Sequence, residues 1–302
     1  MEKEFVSRSR KKIQGFYVAI FALLSLYVIS ITIPVLFGLT TALKSHEEFL
    51  DNVIGIPHGL PWNWQWKNFI DVTEGFWCQI TIKGRGRFQV TFVPMLINTL
   101  EYAIGSAIIQ AIVPCIVGYL TSKFNYKFSK FVYTMVIVLM VVPIVGSAPS
   151  EMAILHNLNL FDTMIGNYIQ KFNFLGMFFL VFYAAFKSVP NDFLEAAYVD
   201  GASEFRVMFQ IALPMVKTVL GTIILLKFID FWNDYQTPMM YLPSYATLAR
   251  GLFALSQRSQ GAMATVPGQM AGCMLLALPI LILFIIFKDK LMGNISMGGV
   301  KE

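Results

Sequence analysis

Pro190-Asn191-Asp192-Phe193-Leu194-Glu195-Ala196-Ala197-Tyr198-Val199-Asp200-Gly201-Ala202-Ser203-Glu204-Phe205-Arg206-Val207-Met208-Phe209-Gln210-Ile211-Ala212-Leu213-Pro214 is the stretch that decides how this chain is read. Physically it spells two short helices joined at a sharp corner. Pro190 followed by Asn191 and Asp192 supplies a helix start, with capping side chains and negative charge in the first turn. Gly201 permits the left-handed backbone that ends the first helix. Ser203 can cap the second, and Pro214 is expected to break it. Such a unit is expected to expose Leu194, Ala197, Tyr198, Phe205 and Met208, and exposed apolar surface of that kind implies a docked protein.

Outward from this unit the sequence turns apolar. Hydrophobic types make 56% of the 302 residues and charged types 14%, well under the roughly 25% charged of soluble domains. The mean hydropathy of +0.63 points to lipid as the second solvent. A bilayer core takes about 20 mostly apolar residues per helix. Six segments meet that length, from Gly15 to Leu43, Phe92 to Leu120, Phe131 to Ala148, Phe172 to Val189, Val216 to Tyr235 and Met270 to Phe287. The first follows a basic stretch, Arg8 to Lys12, but is too long for a signal-peptide core and ends without a small-x-small cleavage pattern. It reads as a retained helix. The expected class is an all-α integral membrane protein with six transmembrane helices.

Basic residues are retained on the cytoplasmic side. With the N-terminus inside, the inner segments hold Lys3, Arg8, Arg10, Lys11 and Lys12; Lys123, Lys127 and Lys130; Lys187, Arg206 and Lys217; and Lys288, Lys290 and Lys301. The longer outer segments hold fewer: Lys44, Lys67, Lys83, Arg85, Arg87, Lys171, Arg250 and Arg258. Both termini are therefore expected in the cytoplasm. The layout is a cytoplasmic segment 1–14, a transmembrane domain 15–288 with an extracytoplasmic loop 44–91 and a cytoplasmic loop 190–214, and a cytoplasmic tail 289–302. In the outer loop, the tryptophans of residues 55–66 suit a membrane interface. Gln79–Lys83 and Arg87–Thr91 alternate around Gly84-Arg85-Gly86 as a β-hairpin would. That hairpin either touches an external partner or is a plain surface excursion.

Several chemistries are excluded. Cys78, Cys115 and Cys273 form no CxxC, and His46, His58 and His156 are equally scattered, so no disulfide framework, metal site or catalytic cluster is spelled. The net charge of +5 lies beside apolar runs rather than on a polar face, which argues against nucleic acid. No GxxxxGK[ST] run is present, so the chain has no phosphate-cradling loop for ATP.

The 190–214 unit resembles the EAA loop of ABC-importer permeases, in the form found in carbohydrate-uptake permeases of the maltose-transporter kind. Glu195-Ala196-Ala197, Asp200-Gly201-Ala202, Ile211 and Leu213-Pro214 stand at the family spacing, and Phe186 and Pro190 fit the lead-in. Met208 and Thr218 depart from it, where phenylalanine and a second proline are usual. Asn98-Thr99-Leu100, Leu160-Phe161-Asp162-Thr163 and Phe231-Trp232-Asn233-Asp234-Tyr235 with Pro238 extend the resemblance over most of the chain. The stretch from about Val72 to Thr91 reads as an insertion.

The resemblance implies type I ABC importer architecture: a homologous permease, two ATPase subunits that bind ATP and Mg, an extracytoplasmic solute-binding protein and a sugar or oligosaccharide substrate. This chain would hold no cofactor and would not itself be an enzyme. Glu195, Ala196, Ala197, Asp200, Gly201, Ala202, Leu213 and Pro214 would couple to the ATPase, with Glu195 either pairing with it or capping local N–H groups. Gly299, Val300 and Lys301 would reach into the ATPase dimer. Lys227, Asp230, Asn233 and Asp234 recur at spacings of three and four on the fifth span. They, with Tyr235, either line the translocation path, or Lys227 and Asp230 pair with each other or with the sister permease. An ion-gradient-driven secondary transporter is the rival reading, and it is expected to show internal repeats that this sequence does not display.

Overall fold

The structure, a computed structural model, describes residues 2–82, 86–142, 146–257 and 265–292, with side chains from Phe16 to Lys288. It is mostly helical, and it divides into two compact units, 1–75 with 256–277 and 76–255 with 278–302.

The first unit is built on α1 (Glu2–Ala42), which runs unbroken through the expected cytoplasmic segment. Its apolar window from Phe16 has a mean hydropathy of 2.4 and buries none of its residues. A helix apolar all round needs lipid or another helix on every side. At its C-terminal end burial begins abruptly, with Thr41, Ala42, Leu43 and Lys44 all at 0–2% exposure. The Asn68 amide, on α3 (Lys67–Gly75), donates to the Ala42 and Lys44 carbonyls at 2.8 Å each. The Lys44 ammonium donates to the Asn52 carbonyl at 2.6 Å, just past α2 (His46–Asp51). Burial depresses the Lys44 pKa, with Glu48 opposing it.

The second unit opens with the hairpin β1 (Trp77–Ile82) and β2 (Gly86–Thr91), paired in register from Trp77 opposite Thr91 to Ile82 opposite Gly86. Cys78 and Ile80 face inward. α4 (Phe92–Lys123) follows at once and is the central helix. Its small residues Ala103, Ala107, Ala111 and Gly118 let neighbours approach closely. A methyl group at Gly118 would stand 2.9 Å from Phe182 Cβ. Phe182 belongs to α8 (Met177–Ser188), which packs on α4, and α12 (Lys217–Trp232) packs there too.

Among the described residues, three helices are long and apolar enough to cross a membrane: α1, α4 and α15 (Val266–Met292). A fourth crossing is made if the stretches Glu204–Met215 and Lys217–Trp232, bent by 75°, are taken as one span. The third and fourth expected spans differ from expectation. α5 (Lys127–Val141) has 15 residues and α8 has 12, about 22 and 18 Å of rise against a core of about 30 Å. Val142, before Pro143, is extended, as a residue preceding proline tends to be. At the start of α8, Gly176 takes φ 140°. Between these helices lie α6 (Ala148–Asn157) and α7 (Met164–Gln170).

Candidate functional site

α9 (Asp192–Val199) and α10 (Glu204–Val207) form the expected helical pair. Gly201 between them has φ +79°. Its N–H donates to the Tyr198 carbonyl at 3.0 Å and that of Ala202 to Ala197 at 2.9 Å. That is a complete Schellman closure, and it requires the left-handed residue that glycine supplies. The expected side-chain caps do not form. The Asn191 side chain instead accepts a 2.8 Å bond from the Lys123 ammonium, which also donates to the Val189 carbonyl at 2.6 Å. The end of α4 is thereby tied to the start of α9. Ser203 caps α10 without a side-chain hydrogen bond.

The apolar face differs from expectation as well. Leu194, Ala197 and Met208 are buried, packing with Tyr119, Phe186 and Val216. The outward set is Phe193, Tyr198, Val199, Phe205 and Phe209, of which Val199 is 88% and Phe205 75% exposed. The inward residues hold the knob and the outward ones are free to dock. Glu195, Ala196, Asp200 and Gly201 share the exposed side, Ala202 and Leu213 are half-buried, and Pro214 is exposed. Pro214 does not break the helix. A π-helical stretch at Met208–Ala212 precedes α11 (Leu213–Met215), and the break comes at Val216. A wider turn accommodates a proline whose missing N–H and bulky ring an α-helical register would not. Gly299, Val300 and Lys301 lie outside the described residues.

The polar stripe is divided. Lys227 and Asp230 pair at 3.0 Å, and the ammonium sits 4.8 Å from the centre of the Phe178 ring. α12 stops at Trp232 with Asn233 as its C-cap, whose N–H still donates to the Ile229 carbonyl, and Asp234 lies beyond the helix. The Asn233 side-chain amide donates to the same carbonyl. Asp234 accepts from the Tyr102 hydroxyl at 2.7 Å and from the Thr237 N–H at 3.0 Å. Tyr235 opens α13 (Gln236–Tyr241) and stacks on Phe253, in α14 (Leu248–Ser256), at 4.7 Å. Of the five residues, the structure brings Lys227 and Asp230 together and gives the other three structural partners.

Sequence reasoning missed the network around these residues. Glu151 on α6 accepts from Gln170 at 2.7 Å and from the Tyr241 hydroxyl at 3.1 Å. Hydrogen bonding, first from Ser147 and then from Gln170 and Tyr241, holds its carboxyl below the usual range against the opposing effect of burial. Lys171 lies 5.1 Å over the Phe231 ring. Burial lowers its pKa, while Asp234 and Glu151 oppose that shift. Asp162 accepts from the Ser244 N–H and hydroxyl at 2.9 and 2.5 Å. Asn98 and Thr99, singled out by resemblance, bond the Ala246 carbonyl and the Leu248 N–H. The last two bonds tie the segment after α12 to the N-terminal end of α4, and those of Glu151 and Asp162 tie the same segment to α6 and the loop that follows it.

Comparison with known proteins gives this arrangement a family. Over 282 residues the chain is 24% identical to the diacetylchitobiose uptake system permease protein NgcG of Streptomyces coelicolor, covering 92% of this chain and 86% of that one. Over 207 residues it is 25% identical to the arabinooligosaccharides transport system permease protein AraQ of Bacillus subtilis, covering 68% and 72%. Its fold matches a chain of a bacterial ABC transporter involved in the import of the acidic polysaccharide alginate, with a TM-score of 0.66 at 20% identity over 91% of this chain and 96% of that one. Residues 112–292, which take in the knob, α12 and the whole of α15, match the family described as binding-protein-dependent transport system inner membrane component. The chain belongs to that family.

Proposed function

We propose that this chain is the permease subunit of an ATP-driven importer of a sugar or oligosaccharide, working with a homologous permease, two ATPase subunits and an extracytoplasmic solute-binding protein. The observation that carries the reading is the exposed apolar knob at Phe193, Val199 and Phe205, lying inside the segment that matches the family. The saccharide class rests on the substrates for which the relatives are named. Under this reading six segments cross the membrane, the third and fourth through α5 and α8 together with the chain that flanks each, both termini are cytoplasmic, and ATP and Mg are bound by the partner ATPase. Residues 190–214 couple ATPase closure to the spans, with Glu195, Ala196, Asp200 and Gly201 presented on the knob, and Gly299–Lys301 meet the ATPase at the tail. Lys227 and Asp230 face the translocation path as a pair, while Asn233, Asp234 and Tyr235 shape its outer end.

Mechanically, the 75° bend at Val216 lets displacement of the knob pass into α12 as tilt rather than bending. The Lys123 bonds to Val189 and Asn191 pass the same displacement to α4. The test is to purify the tagged chain from membranes with its partners and reconstitute it in liposomes. ATP hydrolysis stimulated by the sugar-loaded binding protein, with sugar accumulating inside, is the expected outcome. A purified assembly without any nucleotide hydrolase would sink the reading.

A further inference from the structure

A large and a small cavity in the 76–255, 278–302 unit differ in kind. The larger, about 770 Å³, has walls that are mostly apolar, among them Leu100, Ile104, Leu225, Phe228 and Leu283. A sugar ring there would give up water at each hydroxyl without a replacement bond, which disfavours its binding. The smaller, about 220 Å³, lies between α4, α12 and the start of α8, and its walls mix Gln110, Asn173 and Lys227 with the rings of Phe174 and Phe178. Gln110 stands in the middle of the α4 span, half-buried, and among the described residues its amide has no hydrogen-bond partner. A polar group at that depth calls for water or a ligand.

We infer that this pocket is a subsite for one neutral sugar ring of the transported saccharide, an inference that rests on the importer reading above. A pyranose has an apolar face of C–H groups and a rim of hydroxyls, each both donor and acceptor. Phe174 and Phe178 meet the face. The Gln110 amide supplies donors and an acceptor, and the Asn173 amide, whose oxygen already accepts from the Leu175 N–H at 2.8 Å, supplies donors. The Lys227 ammonium spends one donor on Asp230 and has others to give. Because that carboxylate neutralises the lysine, the pocket favours a neutral ring over a uronate. Its volume is below the ~300–1,000 Å³ of sites for drug-sized ligands, so it takes one ring at a time.

The reconstituted assembly tests this with neutral di- to tetrasaccharides and an oligouronate, each delivered by the binding protein. Asn173→Cys is labelled with a membrane-impermeant methanethiosulfonate, and Ile165→Cys, on the exposed side of α7, is the control. The saccharide that the wild-type assembly accumulates is expected to slow labelling at 173 several-fold and to leave 165 unchanged. Gln110→Leu is expected to lower sugar moved per ATP hydrolysed by ~10-fold, the worth of about one hydrogen bond. Unchanged labelling and unchanged sugar per ATP in an assembly that imports sugar would overturn the subsite alone. Stronger protection by the oligouronate would overturn the neutral-ring assignment. Stimulated hydrolysis with no saccharide accumulated would overturn the importer reading, and the subsite with it.

Discussion

The hydroxyl of Tyr102, in the first half of α4, donates a 2.7 Å hydrogen bond to the carboxylate of Asp234, two residues beyond the end of α12. Tyr102 is fully buried, and its ring meets Phe231 edge-on at 5.6 Å. The pair therefore fixes where α12 stops relative to the central helix. Tyr102→Phe keeps the ring contact and leaves one carboxylate oxygen without its donor, at a cost of about 1.5–3 kcal/mol for a bond to a charged acceptor. The expected outcome in detergent is a melting temperature lower by several degrees. Asp234→Asn, which keeps an acceptor, should lose less. Equal melting of Tyr102→Phe and wild type would show the bond to be idle.

At Gly201 the demand is conformational rather than steric. No atom lies within 4 Å of where a Cβ would stand, yet φ is +79°. A side chain there costs of order 1–2 kcal/mol through its own backbone, and a β-branched one more. Gly201→Val is expected to abolish uptake while the protein still inserts, whereas Gly201→Asn, with a residue that tolerates the left-handed region, should retain part of it. The measurement is sugar uptake normalised to membrane-inserted protein. Normal uptake by the valine variant would refute the corner as a coupling device.

Phe205 is 75% exposed and touches little of its own chain, so its removal should leave folding alone. Large apolar side chains at the centre of an interface carry much of its energy, often ~2 kcal/mol or more. Phe205→Ser is therefore expected to keep the wild-type melting temperature and to lower ATPase recovered with the purified permease by ~10-fold or more. Leu194→Ser, on the buried side of the same knob, should instead lower the melting temperature. The two variants separate docking from packing.

Legibility in the sequence followed the range of the forces involved. α1, α4 and α15 were readable because a long apolar run has few alternatives, and the corner at Gly201 because the requirement for positive φ is local. The lengths of α5 and α8 were overread, since apolarity near Pro143 and Gly176 does not distinguish helix from extended chain. The stripe at residues 227–234 assumed a helix that persists, and α12 ends at Trp232. Leu194, Ala197 and Met208 were assigned to the outer face because which side of a short amphipathic helix meets its own protein depends on Tyr119 and Phe186, far away in sequence. Lys171 was only a topology signal, because nothing local announces Phe231 beneath it.

Glu151 gives the arrangement a pH dependence of known sign. Its carboxyl is held below the ordinary range by Ser147, Gln170 and Tyr241. A depressed folded-state pKa adds stability that is fully present above the unfolded value of about 4.3 and is lost as pH falls through the folded one. Neutral pH therefore leaves the network intact, and acid should release α6 from α7 and α13. The wild-type melting temperature is expected to fall more steeply between about pH 5 and pH 3 than that of Glu151→Gln, which carries no titrating group there. At neutral pH the order of stability should be wild type above variant, with the gap closing in acid. Parallel curves for the two proteins across that window would show that the Glu151 carboxylate is not what holds these three helices together.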